Sequence, residues 1–511
     1  MIQLNARGRQ LGVASALLSL LLFAFLLFDN TGPDALIDSS LPSYAGLYGS
    51  HNEADLAKFQ EKEQKLHILL PANKEDLNLC KTLLTSAVLD YPTPVLIGRN
   101  ETTDTYYLLG GGSHVTKISG TLEYLKSLGP SQDDDLVVMM DAYDIWWQLR
   151  PSTLISRYHS INRAANARLQ ARLGRAFDAE RLSQKIIFGA GKRCAPNQRH
   201  TTACYPLPDS PLPMDIYGTN TDTVMGRNEF YSIRQRFLNS GFIIGPVKDM
   251  RVMFARSWEK VQKMPTYSDW DNGSGGSDFM YHGSDQSIFA IMFGEQEYQR
   301  EVLRRKHLSR YDKAAGRNKS PHLYLDGTLV DDPLNPSFTH EPMELGDDNV
   351  VEFGIGLDYF SELIHQTVNS ELDARFLIYN SSTSSPDNIE AQIGETGIFD
   401  CPPRVNGSTL LPNDITSTPQ PLDNMGWNEI PLYTHLCLNT VPLMIHHNGD
   451  KTARERMWSD VWMQPYARQL LMDVLSHSPD KAGAVDAGTG DLLGWKQLCP
   501  AEWEHEIFRD V

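Results

Sequence analysis

Leu136–Met140, LVVMM, is five apolar residues without polar alternation, stopped by Asp141. A run of that length and character is the signature of a strand buried on both faces, which requires helices above and below the sheet. The neighbouring segments supply them. His67–Pro71 and Pro94–Gly98 read as strands on either side of a helical stretch, Glu75–Leu89, in which Leu77, Cys80, Leu84 and Val88 share a face, so the domain opens with a βαβ unit. The triple glycine Gly110–Gly112 precedes a second helical stretch ending at Leu128. Beyond Asp141 the alternation continues with a helix over Pro151–His159, strands over Lys185–Ala190 and Gly241–Gly245, and a helix over Val247–Val261, the pattern of an α/β sheet. Gln198–Arg227 and Tyr311–Asn349, rich in Pro, Asp and Gly, read as long surface insertions.

The N-terminus departs from this pattern. Leu11–Phe28 carries eighteen residues without a charge, preceded by Arg7 and Arg9 and followed by Asp29 and Asp34. Length and flanks predict a signal-anchor transmembrane helix with a short cytosolic tail, favoured over a cleaved signal peptide because no small-x-small site follows. The expected organisation is a tail over 1–10, the anchor over 11–28, a stem over 29–64, a catalytic domain over 65–455 and a helical extension over 456–511. Five sequons, at Asn100, Asn272, Asn318, Asn380 and Asn406, and six cysteines fit a secretory, type II membrane location. Cys194 with Cys204 would close a short loop and Cys401 could reach Cys437, but six cysteines admit fifteen connectivities and their spacing does not choose. A formal net charge of −18 speaks against nucleic acid as a partner.

Ligands of open α/β sheets bind beyond the carboxyl ends of the strands, where Asp141 and Asp144 fall. Hard divalent cations take oxygen ligands and bridge carboxylates to diphosphates, and a DxxD at a strand end supplies such a site. Taken alone, the pair also reads as two solvated carboxylates in a turn. A haloacid-dehalogenase-type phosphotransferase is excluded, because its second Asp is needed where Tyr143 stands.

DDDLVVMMDAYD resembles the strand and DxxD motif of the glycosyltransferase domain of procollagen lysyl hydroxylases, and further blocks follow in that family's order. These are Gly110–Gly112, IIFGAGKRCAP (Ile186–Pro196), RFLNSGFIIG (Arg236–Gly245), SDQSIF (Ser284–Phe289), GLDY (Gly356–Tyr359) and IHHNGDK (Ile445–Lys451). The resemblance spans about residues 66–455. It implies a GT-A, Rossmann-like mixed sheet flanked by helices, and transfer of galactose or glucose from a UDP-sugar to a protein or glycan hydroxyl. It further implies a manganese ion on Asp141, Asp144 and His446, with Tyr143 against the uracil and Asn448, Gly449 and Lys451 near the diphosphate. Asn239, Ser240 and Gly241 would line the sugar pocket. Asp285 would act as general base or orient the sugar, against a plain helix-capping role; Asn73 and Gly112 would touch the nucleotide. Golgi is favoured over the endoplasmic reticulum, and a homodimer is admitted among the partners. The alternative is a catalytically inactive sugar-nucleotide or glycoprotein-binding scaffold.

Departures from the family pattern cluster on the sugar side. His114 stands where the family has Lys, Asn73 where it has Thr, and Ala195 where it has Trp; SDQ replaces a run of aspartates, and Lys451 lies one residue nearer the glycine. Trp146 and Trp147 read as core. The 56 residues after 455 are too few for the family's iron-dependent hydroxylase domain, so hydroxylation is not expected.

Overall fold

The computed structural model describes residues 64–99, 113–197, 201–223, 230–263, 284–315, 351–379, 392 and 411–508, all within the compact unit Glu63–Val511. Its centre is an eight-stranded mixed sheet. β1 (Leu66–Pro71) lies between β2 (Val95–Ile97) and β3 (Leu136–Met140), parallel to both. The expected βαβ unit is present, with α1 (Leu77–Val88) capped by Asp76, whose carboxylate accepts the N–H of Asn78 at 2.8 Å. β3 next pairs antiparallel with β6 (Phe237–Pro246), which pairs antiparallel with β5 (Ile186–Gly191), and β5 runs parallel to β7 (Ile355–Asp358). At the other edge β12 (Ala484–Asp486) joins β2 and is itself covered by β13 (Leu492–Leu493).

Helices α2 (Ser113–Ser127), α3 (Pro151–Leu173), α4 (Val247–Gln262) and α5 (Asp285–Lys306) complete the layers. All five residues of β3 are buried, as a strand covered on both faces must be. Val138 and Met140 join one apolar core while Val137 and Met139 join the other, so the alternation of the strand divides the two. Trp146 and Trp147 are fully buried, in agreement with their reading as core.

A second, three-stranded sheet is formed by β4 (Ile145–Trp147), β11 (Met444–His446) and β8 (Ile364–Gln366), and β9 (Ala374–Leu377) pairs antiparallel with β10 (Leu432–His435). Short helices α6 (Lys451–Met457) and α7 (Ala467–His477) belong to the C-terminal part, which is not only helical: it contributes β12 and β13 to the main sheet.

Several expectations need correction. The span expected over Leu11–Phe28 lies outside the described residues, and among the described ones no helix is long and apolar enough to cross a membrane. Over the described residues the fold is mixed α/β with several sheets and holds no such span. The type II orientation, the membrane as partner and the Golgi or wider secretory location, all expected from that span, find no support in the described residues. The five sequons and Cys401 also fall outside the described residues. Exposed Met214, Val252, Tyr311 and Met472 belong to separate segments and do not argue for the expected homodimer.

The insertion starting at Gln198 is not a surface loop where it is described. Tyr205, Leu207, Leu212, Ile216 and Tyr217 are buried. Two arginines make this tolerable: Arg236 donates to the carbonyls of Leu207 and Pro208, and Arg234 to those of Ser210 and Leu212, so the irregular backbone has partners away from water. Cys194 and Cys204 do close the short loop, and Cys437 is also disulfide-bonded. A bridge between Cys80 and Cys499, 419 residues apart, ties the C-terminal part to α1.

Candidate metal centre

Strand register brings the site together. β3 ends at Met140, and the N–H of Asp141 donates to the carbonyl of Gly241 in β6 at 2.9 Å. The chain turns through Asp144 into β4, where Ile145 lies opposite His446 of β11. The N–H of His447 donates to the carbonyl of Asp144 at 2.7 Å, locking the two segments at the point where the ligands emerge. Asp141, Asp144 and His446 thus meet, each offering a ligand atom within 4.8 Å of the others.

Each carboxylate has one oxygen held by a lysine and the other turned to the imidazole. Lys117 Nζ donates to Asp141 Oδ1 at 2.7 Å, while Asp141 Oδ2 lies 3.6 Å from His446 Nε2. Lys451 Nζ donates to Asp144 Oδ2 at 3.0 Å, while Asp144 Oδ1 lies 3.6 Å from the same Nε2. At 3.6 Å neither carboxylate is hydrogen-bonded to the ring. Asp144 Oδ1 and both ring nitrogens of His446 are buried and have no hydrogen-bond partner. Buried polar atoms ordinarily find partners, so orphans converging from these two side chains mark a place for a bound group. Ligands at about 2.1 Å from a cation lie about 3.0–3.4 Å apart in octahedral or tetrahedral order, so the 3.6 Å separation of Nε2 from each carboxylate oxygen comes within a few tenths of an ångström of what a divalent metal needs.

Gly241 allows the imidazole its place. A Cβ there would lie 2.1 Å from His446 Cε1 and within 2.8 Å of both ring nitrogens. The absence of a side chain is a requirement of this close approach, not of backbone conformation.

Lys117 is the functional residue that sequence reasoning missed. Its side chain is 5% exposed and bridges Asp141 and Asp285, with Nζ 2.9 Å from Asp285 Oδ2 and from the carbonyl of Ser240. Burial works to remove its proton, but the two carboxylates outweigh burial and raise its pKa above the ordinary lysine value. For Asp141, burial works upward and is overcome by the charge of Lys117 and by His446, so the carboxyl is held well below its usual range. The signal available in the sequence was a lysine on the face that α2 buries, one and two turns before Thr121 and Leu125.

The remaining expected residues divide into two groups. Asn239, Ser240 and Gly241 lie in β6 against the metal ligands, Lys451 contacts Asp144, and Asp285 is joined to the centre through Lys117. Asp285 begins α5 but spends its carboxylate on Lys117, with His114 Nδ1 3.9 Å from its other oxygen; the residue before it, Ser284, makes no side-chain cap. Tyr143 stands on the rim, its hydroxyl donating to Asn73 Oδ1 at 3.1 Å, which places Asn73 beside it. Asn448 and Gly449 are held one step away, against the end of β8: Asn448 donates to Gln366 Oε1 at 3.1 Å and accepts from Val368 N–H at 3.0 Å, and Gly449 donates to Thr367 Oγ1 at 3.1 Å. Gly112 lies outside the described residues. This Asp, Asp and His cluster can coordinate a divalent cation. No family model matches the chain, and no curated protein matches it.

Proposed function

We propose that the protein is a metal-dependent glycosyltransferase, moving galactose or glucose from a UDP-sugar to a hydroxyl of a protein or glycan. The observation that carries this reading is the convergence of two carboxylate oxygens and an orphaned imidazole at the C-terminal end of a central strand, where sugar nucleotides and their cations are held in sheets of this kind. The rim beside it, formed by Tyr143 and Asn73, suits a planar base; Lys451 adds positive charge next to Asp144, where a diphosphate would lie.

Asp141, Asp144 and His446 would hold manganese or a similar divalent ion. When bound, the ion offsets the negative charge that builds on the departing UDP. The protein's own groups do the rest. Asn239, Ser240 and Gly241 would line the sugar side, and Asp285, paired with Lys117, would accept a hydrogen bond from a sugar hydroxyl or the proton of the attacking acceptor. As the acceptor oxygen bonds to the anomeric carbon, the bond from that carbon to the UDP oxygen breaks and the hydroxyl proton passes to a base.

A second reading, a silent sugar-nucleotide or glycoprotein-binding scaffold, draws on the same ion pair, which gives Asp285 a structural partner in Lys117 without any catalytic role. Incubation with UDP-galactose and UDP-glucose, with and without manganese, separates the two. Manganese-dependent release of UDP, abolished by Asp141→Ala and Asp144→Ala, supports the enzyme; no turnover with intact UDP binding sinks it.

A further inference from the structure

β6 does not run straight past the metal centre. Phe188 of β5 pairs with Ile243, but the next residue, Gly189, pairs with Asn239, so Ser240, Gly241 and Phe242 have no counterpart on β5. On its other side β6 keeps its register with β3, Met140 lying opposite Phe242. The extra residues therefore form a bulge on the β5 side, while Phe242 keeps its place opposite β3. A bulge of this size leaves backbone donors and acceptors without ladder partners, and each needs another.

The partners of Ser240 and Gly241 can be named. The N–H of Ser240 donates to Gln286 Oε1 at 2.7 Å, and Gln286 Nε2 donates to the carbonyl of Leu238. Asn239 Oδ1 accepts the N–H of Gly241 at 3.2 Å. The carbonyl of Ser240 accepts from Lys117, and that of Gly241 accepts from the N–H of Asp141. A single side-chain amide, carried by α5, thus gives the N–H of Ser240 the partner it lacks on β5 and also holds the carbonyl of Leu238, with its acceptor and donor each used once. The backbone it holds is the shelf on which the ring of His446 rests and to which Asp141 and Lys117 are bonded.

We propose that Gln286 is a positioning residue that sets the affinity of the metal centre by holding the β6 bulge in shape, acting through backbone without touching the ion. The proposal rests on the reading of Asp141, Asp144 and His446 as metal ligands. Only a neutral amide suits the role: a methionine of similar length keeps neither bond, and a glutamate keeps an acceptor for Ser240 but loses the donor to Leu238. Groups that orient ligands from outside the coordination sphere are worth about 10- to 100-fold in metal affinity.

The test is manganese titration of the full chain, read by loss of the free-ion electron paramagnetic resonance signal, with thermal melts on the same samples. Gln286→Met is expected to weaken manganese binding about 10- to 100-fold and Gln286→Glu by less, both retaining a cooperative melt. Gly245→Ala, which crowds Ile186 elsewhere on β6, serves as the control for general destabilisation and is expected to leave manganese binding unchanged. Wild-type affinity in Gln286→Met overturns the proposal, as does an equal loss in Gly245→Ala. If Gln286→Met does not fold, Gln286→Glu decides: wild-type affinity there overturns it. Failure of the metal reading itself is distinguishable, because Asp141→Ala would then bind manganese as the wild type does.

Discussion

Gly241→Ala isolates the close approach on which the metal centre depends. Gly241 has no left-handed backbone requirement, so an alanine adds only a methyl group, and that methyl would stand 2.1 Å from His446 Cε1, 2.7 Å from Nδ1 and 2.8 Å from Nε2. Carbon atoms in contact sit about 3.5–4.0 Å apart, so ring and strand must separate by about 1.5 Å. Metal–ligand distances tolerate only about 0.2 Å, so the imidazole is lost as a ligand even if the ring finds a new resting place. Overpacking of this kind costs about 1–3 kcal/mol of stability, a shift of a few degrees in Tm, which the fold survives. The expected result is manganese binding weakened by at least about 100-fold, equal to about 2.7 kcal/mol, with a cooperative melt retained. The assay is manganese titration beside thermal melts. An alanine variant that binds manganese as the wild type does would refute the reasoning.

Three other perturbations follow from the same structure. Lys117→Met leaves Asp141 and Asp285 facing each other without their shared cation and is expected to cost about 3 kcal/mol in denaturant unfolding, with part recovered in Lys117→Met/Asp285→Asn. Burial raises the pKa of Asp358 to about 6, against the opposing hydrogen bonds from the N–H groups of Ile364, Leu363 and Glu362; burial and then the Asp358 charge raise Glu362 to about 7. The folded state holds these protons more tightly than the unfolded chain, so their contribution is complete below about pH 4 and is lost as pH rises to about 7. For Asp358 alone the loss is about 3 kcal/mol, and Asp358→Asn should flatten the dependence of Tm on pH over that window. Finally, Cys80→Ser/Cys499→Ser removes the longest bridge and is expected to cost about 2–5 kcal/mol, read as a lower Tm that no longer responds to reductant at this bond.

The parts of this fold that could be read from the chain were those written in short, continuous stretches. LVVMM is apolar throughout because both faces of β3 are covered, and its end at Asp141 placed the carboxylates correctly beyond the strand. His446 was reached only through the resemblance of IHHNGDK to a family motif, since nothing in its own surroundings in sequence marks a ligand. Pairing was harder. An apolar run such as Phe242–Gly245 looks the same in a parallel or an antiparallel sheet, so neither the reversed direction of β6 nor its bulge was visible. Lys117 and Gln286 act on partners from other elements, and their roles exist only once α2 and α5 are packed on the sheet. The burial of residues 201–217 was hidden for a related reason: the polar composition that suggests a surface loop is made compatible with the interior by Arg234 and Arg236, which lie outside that segment.

Calorimetric titration of UDP into the protein, with and without manganese, tests the central claim most directly. The account predicts that UDP binds in the presence of manganese, that binding is weakened at least about tenfold without it, and that Asp141→Ala, Asp144→Ala and His446→Ala each abolish the manganese-dependent part. UDP binding that is the same with and without the ion, and the same in all three variants, would contradict it.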